Sequence, residues 1–163
     1  MDSVPRWFEG VRLNFAENIL FSCFAGETTG KEDNEIAVTE VREGAAAQAV
    51  HLTWGELRRR TGLLMRAMRA NGVAKGDRIA VCSANSIDTL LVFLAATGVG
   101  GIFSSSSTDM GVKGILDRML QIKPRWLFMD DQAVYNGKTV DLRGKMGDID
   151  RKSTRLNSSH QYY

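Results

Sequence analysis

Three times between Val50 and Ile122 a short apolar run gives way to a stretch with helical spacing of apolar residues, and glycines mark most of the returns. The runs are Val50–Leu52, Arg78–Cys82 and Gly101–Ser104, and a further one, Trp126–Met129, closes the series. Strands that alternate with helices of this length favour a parallel sheet, because a parallel connection has to cross back over the sheet. Ile79, Ala80 and Val81 read as nearly continuous burial, which points the same way, since parallel sheets are covered on both faces. The expectation is an α/β chain with a mostly parallel sheet and flanking helices.

Local signals place the elements. Thr53-Trp54-Gly55-Glu56 reads as a capping box, with Leu57, Leu64, Met65 and Met68 forming the apolar stripe of the helix that follows and Asn71-Gly72 ending it. Asn85-Ser86 offers an N-cap for a helix from Ile87 to Thr97. Its Leu90, Leu91, Phe93 and Leu94 surround much of the circumference, as in a helix pressed between layers. A third helix is expected at about Val112 to Ile122, with Ile115, Leu116, Met119 and Leu120 inward and Pro124 closing it.

The division expected is a wrapping segment at 1–34, an α/β body at 35–146 and a tail at 147–163. The first holds Trp7, Phe8, Leu13, Phe15, Leu20 and Phe24 without a clean period, and a short helix from Asn14 to Phe21 would set Phe15 and Ile19 on one side. The composition turns polar near Gly147 and the change is complete at Arg151, so the tail is expected to be disordered. Its Lys152-to-His160 text also reads like translated adapter sequence, an adventitious addition.

The formal charge of +2 rests on the last thirteen residues, which supply Arg151, Lys152 and Arg155 and no acid. It therefore argues for no nucleic-acid groove and no membrane-binding face. No leader and no run of about 20 apolar residues stands in the sequence, so the cytoplasm is the expected compartment. Cys23 and Cys82 lie far apart with no metal-ligand spacing, and Cys82, ending an apolar run, reads as a small buried thiol.

Several separated phrases share one likeness. Trp7-Phe8-Glu9-Gly10-Val11-Arg12-Leu13-Asn14, Gly100 to Gly111 (GGIFSSSSTDMG), Ile115-Leu116-Asp117-Arg118, Gln121-Ile122-Lys123-Pro124 and Tyr135-Asn136-Gly137-Lys138 together resemble the opening part of acetoacetyl-CoA synthetases, within the adenylate-forming superfamily. The resemblance implies an incomplete N-terminal portion of the large domain of an adenylate-forming enzyme. Its whole would activate acetoacetate with ATP and Mg²⁺ to an acyl-adenylate, pass the acyl group to CoA, and release AMP and pyrophosphate. Acetyl-CoA or another short-chain acyl-CoA synthetase is the alternative parent, and a noncatalytic module binding a CoA-like ligand or a protein is a third reading. The family's phosphate loop and catalytic lysine segment have no counterpart in these residues, so the chain alone is expected to be inactive and no catalytic residue is assigned.

The resemblance also places Ser107, Thr108, Asp109, Tyr135 and Lys138 near the CoA nucleotide. Each has a plainer reading. The run Ser104 to Thr108 lacks the glycines and terminal lysine of a phosphate loop, and it reads first as a packed turn or helix entry and second as a surface lining the CoA or acyl site. Asp109 would repel CoA phosphates and reads as the cap of the following helix. Tyr135 stacks on adenine or covers the core, and Lys138 offers a point charge without the fork of an arginine. Asp130-Asp131 is a poor magnesium site without further oxygen ligands, and no metal residue is assigned.

Overall fold

The structure is a computed structural model and describes residues 7–21, 31–43 and 48–158, the last six by backbone alone. Cys23, Phe24 and most of the loop expected after Glu43 lie outside the described residues. In chain order the elements are α1 (Phe15–Phe21), β1 (Ile36–Glu40), β2 (Val50–Thr53), α2 (Trp54–Ala70), β3 (Arg78–Cys82), α3 (Ile87–Gly98), β4 (Ile102–Ser106), α4 (Val112–Ile122), β5 (Trp126–Met129), β6 (Gln132–Tyr135), β7 (Lys138–Asp141) and α5 (Arg143–Ser158).

A three-stranded parallel sheet in the order β4-β3-β5 forms the centre. Successive side chains of a strand point to opposite faces, and β3 uses both. Ile79 and Val81 pack under Met68 of α2 and Val92, Ala95, Ala96 and Val99 of α3. Ala80 and Cys82 pack against Ile115, Leu116 and Met119 of α4 and Ile149 of α5. The α2 and α3 helices thus share one face, and an arrangement on opposite sides of the sheet does not occur. Ile79, Ala80 and Val81 are at most 2% exposed, the burial expected of a central parallel strand.

The α2 helix begins with the capping box read from the sequence. The Glu56 amide donates to Thr53 Oγ1 at 3.3 Å, and the Thr53 amide donates to Glu56 Oε2 at 3.1 Å. Ser86 caps α3 by accepting the Thr89 amide at 3.1 Å. α3 is then buried almost all round, with α1, β2 and α2 packed against Ile87, Leu91 and Leu94.

Four local expectations change. In α1 the buried pair is Ala16 and Leu20, whereas Phe15 and Ile19 are exposed; Trp7, Phe8 and Leu13 also stay more than two-thirds exposed. β4 extends through Ser106, so most of the hydroxyl run is strand rather than turn. The stretch expected only to lie near the CoA nucleotide forms a hairpin, β6–β7, after β5, with Asn136 and Gly137 at positive φ in a two-residue turn. Finally, α5 passes straight through the boundary expected at 147, and Ile149 is 1% exposed.

Candidate functional site

Adjacent strands β3 and β4 send their chains to opposite faces of the sheet, into α3 and α4 respectively. Such a reversal opens a crevice beyond the carboxyl ends of the strands, where ligands of open α/β sheets settle. A cleft of about 520 Å³ lies there. Ser83, Ser86 and Thr89 form one wall and Ser105, Ser106 and Ser107 the other, while Phe93 and Phe103, edge to face at 4.9 Å, supply its apolar part.

The hydroxyls of the first wall are hydrogen-bonded among themselves. Thr89 Oγ1 donates to the Ala84 carbonyl at 2.7 Å, so the Ser83 hydroxyl, 2.5 Å away, donates to Thr89. The α3 N-terminus carries the positive end of the helix dipole, yet a protein anion already occupies it. Glu40 Oε2 accepts the Ile87 amide at 2.6 Å, and Arg42 flanks the same carboxylate. Burial pushes the Glu40 carboxyl up, but the Ile87 amide and the Arg42 guanidinium outweigh it and hold it below its ordinary value. Among the described residues no lysine or arginine lines the cleft. A triphosphate therefore does not fit it, although neutral polar groups do.

A magnesium ion does not fit this stretch either. Among the described residues no three carboxylate, thiol or imidazole groups converge. Asp130 Oδ2 is taken by the Ala84 amide at 2.8 Å.

The five residues singled out in the sequence fall into two groups. Ser107, Thr108 and Asp109 follow β4 on one flank of β3. Ser107 lines the cleft, and its carbonyl accepts from Cys82 Sγ at 3.4 Å. Asp109 is exposed and does not cap α4, because Gly111 holds the N-cap position with no side-chain bond. Tyr135 and Lys138 lie on the other flank, as register partners at the tip of the hairpin beyond β5. Tyr135 is 76% exposed there, so it covers no core. The hairpin is steadied by Glu43, whose Oε1 accepts the Gly137 amide at 3.0 Å. The cleft that Ser107 lines includes neither hairpin residue.

Two residues that the sequence reading passed over do structural work at this end of the sheet. One is Glu40. The other is Lys145 of α5, whose Nζ donates to the carbonyls of Thr108 at 2.7 Å and Met110 at 3.0 Å. No local pattern marks either one, since both act across long separations in the chain.

The model of the AMP-binding enzyme family matches residues 27–160. The chain belongs to that family. Among AMP-binding relatives it is 44% identical over 135 residues to an acetoacetyl-CoA synthetase of Mus musculus, covering 83% of this chain and 19% of the relative. It is 41% identical over 145 residues to a malonamoyl-CoA synthetase of Penicillium aethiopicum, covering 89% and 19%. The solved acetoacetyl-CoA synthetase from Streptomyces lividans superposes with a TM-score of 0.76 at 33% identity, over 86% of this chain and 20% of that one. The chain thus spans about a fifth of the length of these relatives. No helix among its described residues is long and apolar enough to cross a membrane.

Proposed function

We propose that this chain contributes the opening part of a ligase that joins acetoacetate to CoA at the expense of ATP. In that reaction a carboxylate oxygen attacks the α-phosphorus of ATP and pyrophosphate leaves; the CoA thiol then attacks the acyl carbon and AMP leaves. The observation that carries the reading is the 44% identity to an acetoacetyl-CoA synthetase across 83% of the chain. The malonamoyl-CoA relative supports the same substrate class, because malonamate and acetoacetate are both short acids with a carbonyl two bonds from the carboxyl carbon.

The proposed role of these residues is to build the sheet and one rim of the CoA site. Ser107, Thr108 and Asp109 would meet the nucleotide through hydroxyls and backbone, and Lys138, beside Tyr135, would offer a cation to a phosphate. ATP and Mg²⁺ are proposed to bind at residues outside this stretch, since the cleft carries neither the cations nor the carboxylates they need. The proposed compartment is the cytoplasm, which the free, buried thiol of Cys82 suits.

The test is to extend the coding sequence past Asp150 from an independent transcript and assay the product for ATP-dependent CoA thioester formation. Acetoacetate and malonamate are expected to outperform acetate. A preference for acetate would reject the substrate, and no thioester with any short acid would reject the reaction. The purified 163-residue chain is expected to form no acyl-adenylate by itself.

A further inference from the structure

We infer that Lys145 is a positioning residue that sets the shape of the Ser107–Met110 loop for its ligand; the ligand part of this rests on the CoA reading above. The loop lacks side-chain bonds of the usual capping kind. Gly111 stands at the N-cap of α4 without a hydroxyl or carboxylate to offer, so something else has to hold the approach to that helix.

Three of the loop's carbonyls are held from the core side. Ser107 O accepts from Cys82 Sγ at 3.4 Å and from the Met110 amide at 3.3 Å, while Thr108 O and Met110 O share the Lys145 ammonium at 2.7 and 3.0 Å. The sulfur bond is long and weak. The two bonds from the ammonium are charge-assisted and short, so they dominate. In a trans peptide the N–H points opposite to the C=O of the preceding residue. Fixing the carbonyls of Thr108 and Met110 toward Lys145 consequently turns the amides of Asp109 and Gly111 away from it.

Lys145 can do this because α5 is itself anchored. Ile149, one turn further along the same helix, is buried against Ile115 and Met119 of α4 and Ala80 and Cys82 of β3. The ammonium therefore stands at a fixed distance from the end of β4, and it ties the helix after the hairpin to the rim of the cleft. This gives α5 a role at the site that its position late in the chain conceals.

The experiment uses the full 163-residue chain, with Lys145→Met to remove the donor while keeping the aliphatic stem. Lys145→Arg is the conservative rescue, and Lys152→Met removes an equal charge from an exposed position on the same helix. Backbone ¹⁵N relaxation and a CoA titration are read on each. The expected result for Lys145→Met is that order parameters of Thr108 to Met110 fall from the rigid value of about 0.85 to below about 0.6. Those of β3 and α3 stay unchanged. CoA affinity is expected to weaken by about tenfold or more, as preorganisation is lost, to recover in Lys145→Arg, and to be unaffected in Lys152→Met. Unaltered order parameters at Thr108 to Met110 would overturn the inference whatever CoA does. A loosened loop in a chain whose wild type shows no CoA-dependent shift at Ser105 to Asp109 would overturn the ligand part of the inference and leave Lys145 a structural strut. An equal loss of affinity in Lys152→Met would assign the effect to charge alone and sink the positioning role.

Discussion

The carboxylate of Glu40, at the end of β1, accepts the backbone amide of Ile87, the first residue of α3, at 2.6 Å. The pair spans 47 residues and joins the antiparallel β1–β2 ribbon to the helix that lies over the parallel sheet. Glu40→Ala removes a long-range cap and is expected to cost about 1–2 kcal/mol, and Glu40→Gln, which keeps an acceptor, about 0.3–1 kcal/mol. Chemical denaturation at neutral pH checks both. The folded carboxyl titrates below its ordinary 4.5, so its contribution is present above that value and is lost as pH falls through the lower folded value. Glu40→Gln should accordingly show a shallower loss of stability below about pH 4.5 than the wild type.

Leu94 is 1% exposed in a helix enclosed by α1, α2 and the sheet. Leu94→Ala is expected to destabilise by about 2–5 kcal/mol, because little around it can collapse into the void. Leu64, only half-buried on α2, should cost less. Equal losses at the two sites would contradict the packing described.

Ile149 sits in the core although it lies in the polar end of the sequence. Ile149→Ala should cost about 2–4 kcal/mol, and ending the chain at Leu142 should cost at least as much. Ending it at Asp150, which leaves Ile149 in place, should cost far less. Urea midpoints of the three chains order the predictions directly.

Burial lifts the Cys82 thiol above its ordinary 9.0, partly opposed by Lys145 and aided by Asp130 and Asp109. At neutral pH it should react with a small disulfide reagent only as fast as the chain opens. A raised folded value means that the protonated thiol favours folding fully below about pH 9, and that this contribution fades as pH rises beyond it. Cys82→Ser should flatten that alkaline decline. Rapid labelling of Cys82 in the folded chain at neutral pH would contradict its enclosure.

What was legible in the sequence follows how local each cause is. The Thr53–Glu56 box, the Ser86 cap and the end of α4 before Pro124 depend on residues within one turn, and all appear where read. The family was legible because its phrases are spread over most of the body. The β6–β7 hairpin was legible too, since Asn136-Gly137 is a strong two-residue turn signal, but the phrase Tyr135 to Lys138 entered only through the family resemblance. The buried face of α1 was hidden for a different reason. Its large residues Phe15, Ile19 and Phe21 dominate any hydrophobic count, while close packing on α3 selects the smaller Ala16 with Leu20. At the site, Ser107 could be placed beside a strand end from its neighbours alone. The parts played by Glu40, Glu43 and Lys145 depend on contacts across the fold and left no mark in the local pattern.

The strand order β4-β3-β5 has a consequence in time. β3 finds β4 after only α3 has been made, but its other edge waits until β4 and α4 have also emerged, because Ile79 pairs there with Trp126. A ribosome adds about 5–20 residues each second, so the far edge of the most deeply buried strand stays open for a period on the order of seconds. Whatever guards nascent chains has to act on the stretch around Ile79 to Val81 within that interval, before Trp126 arrives to close it.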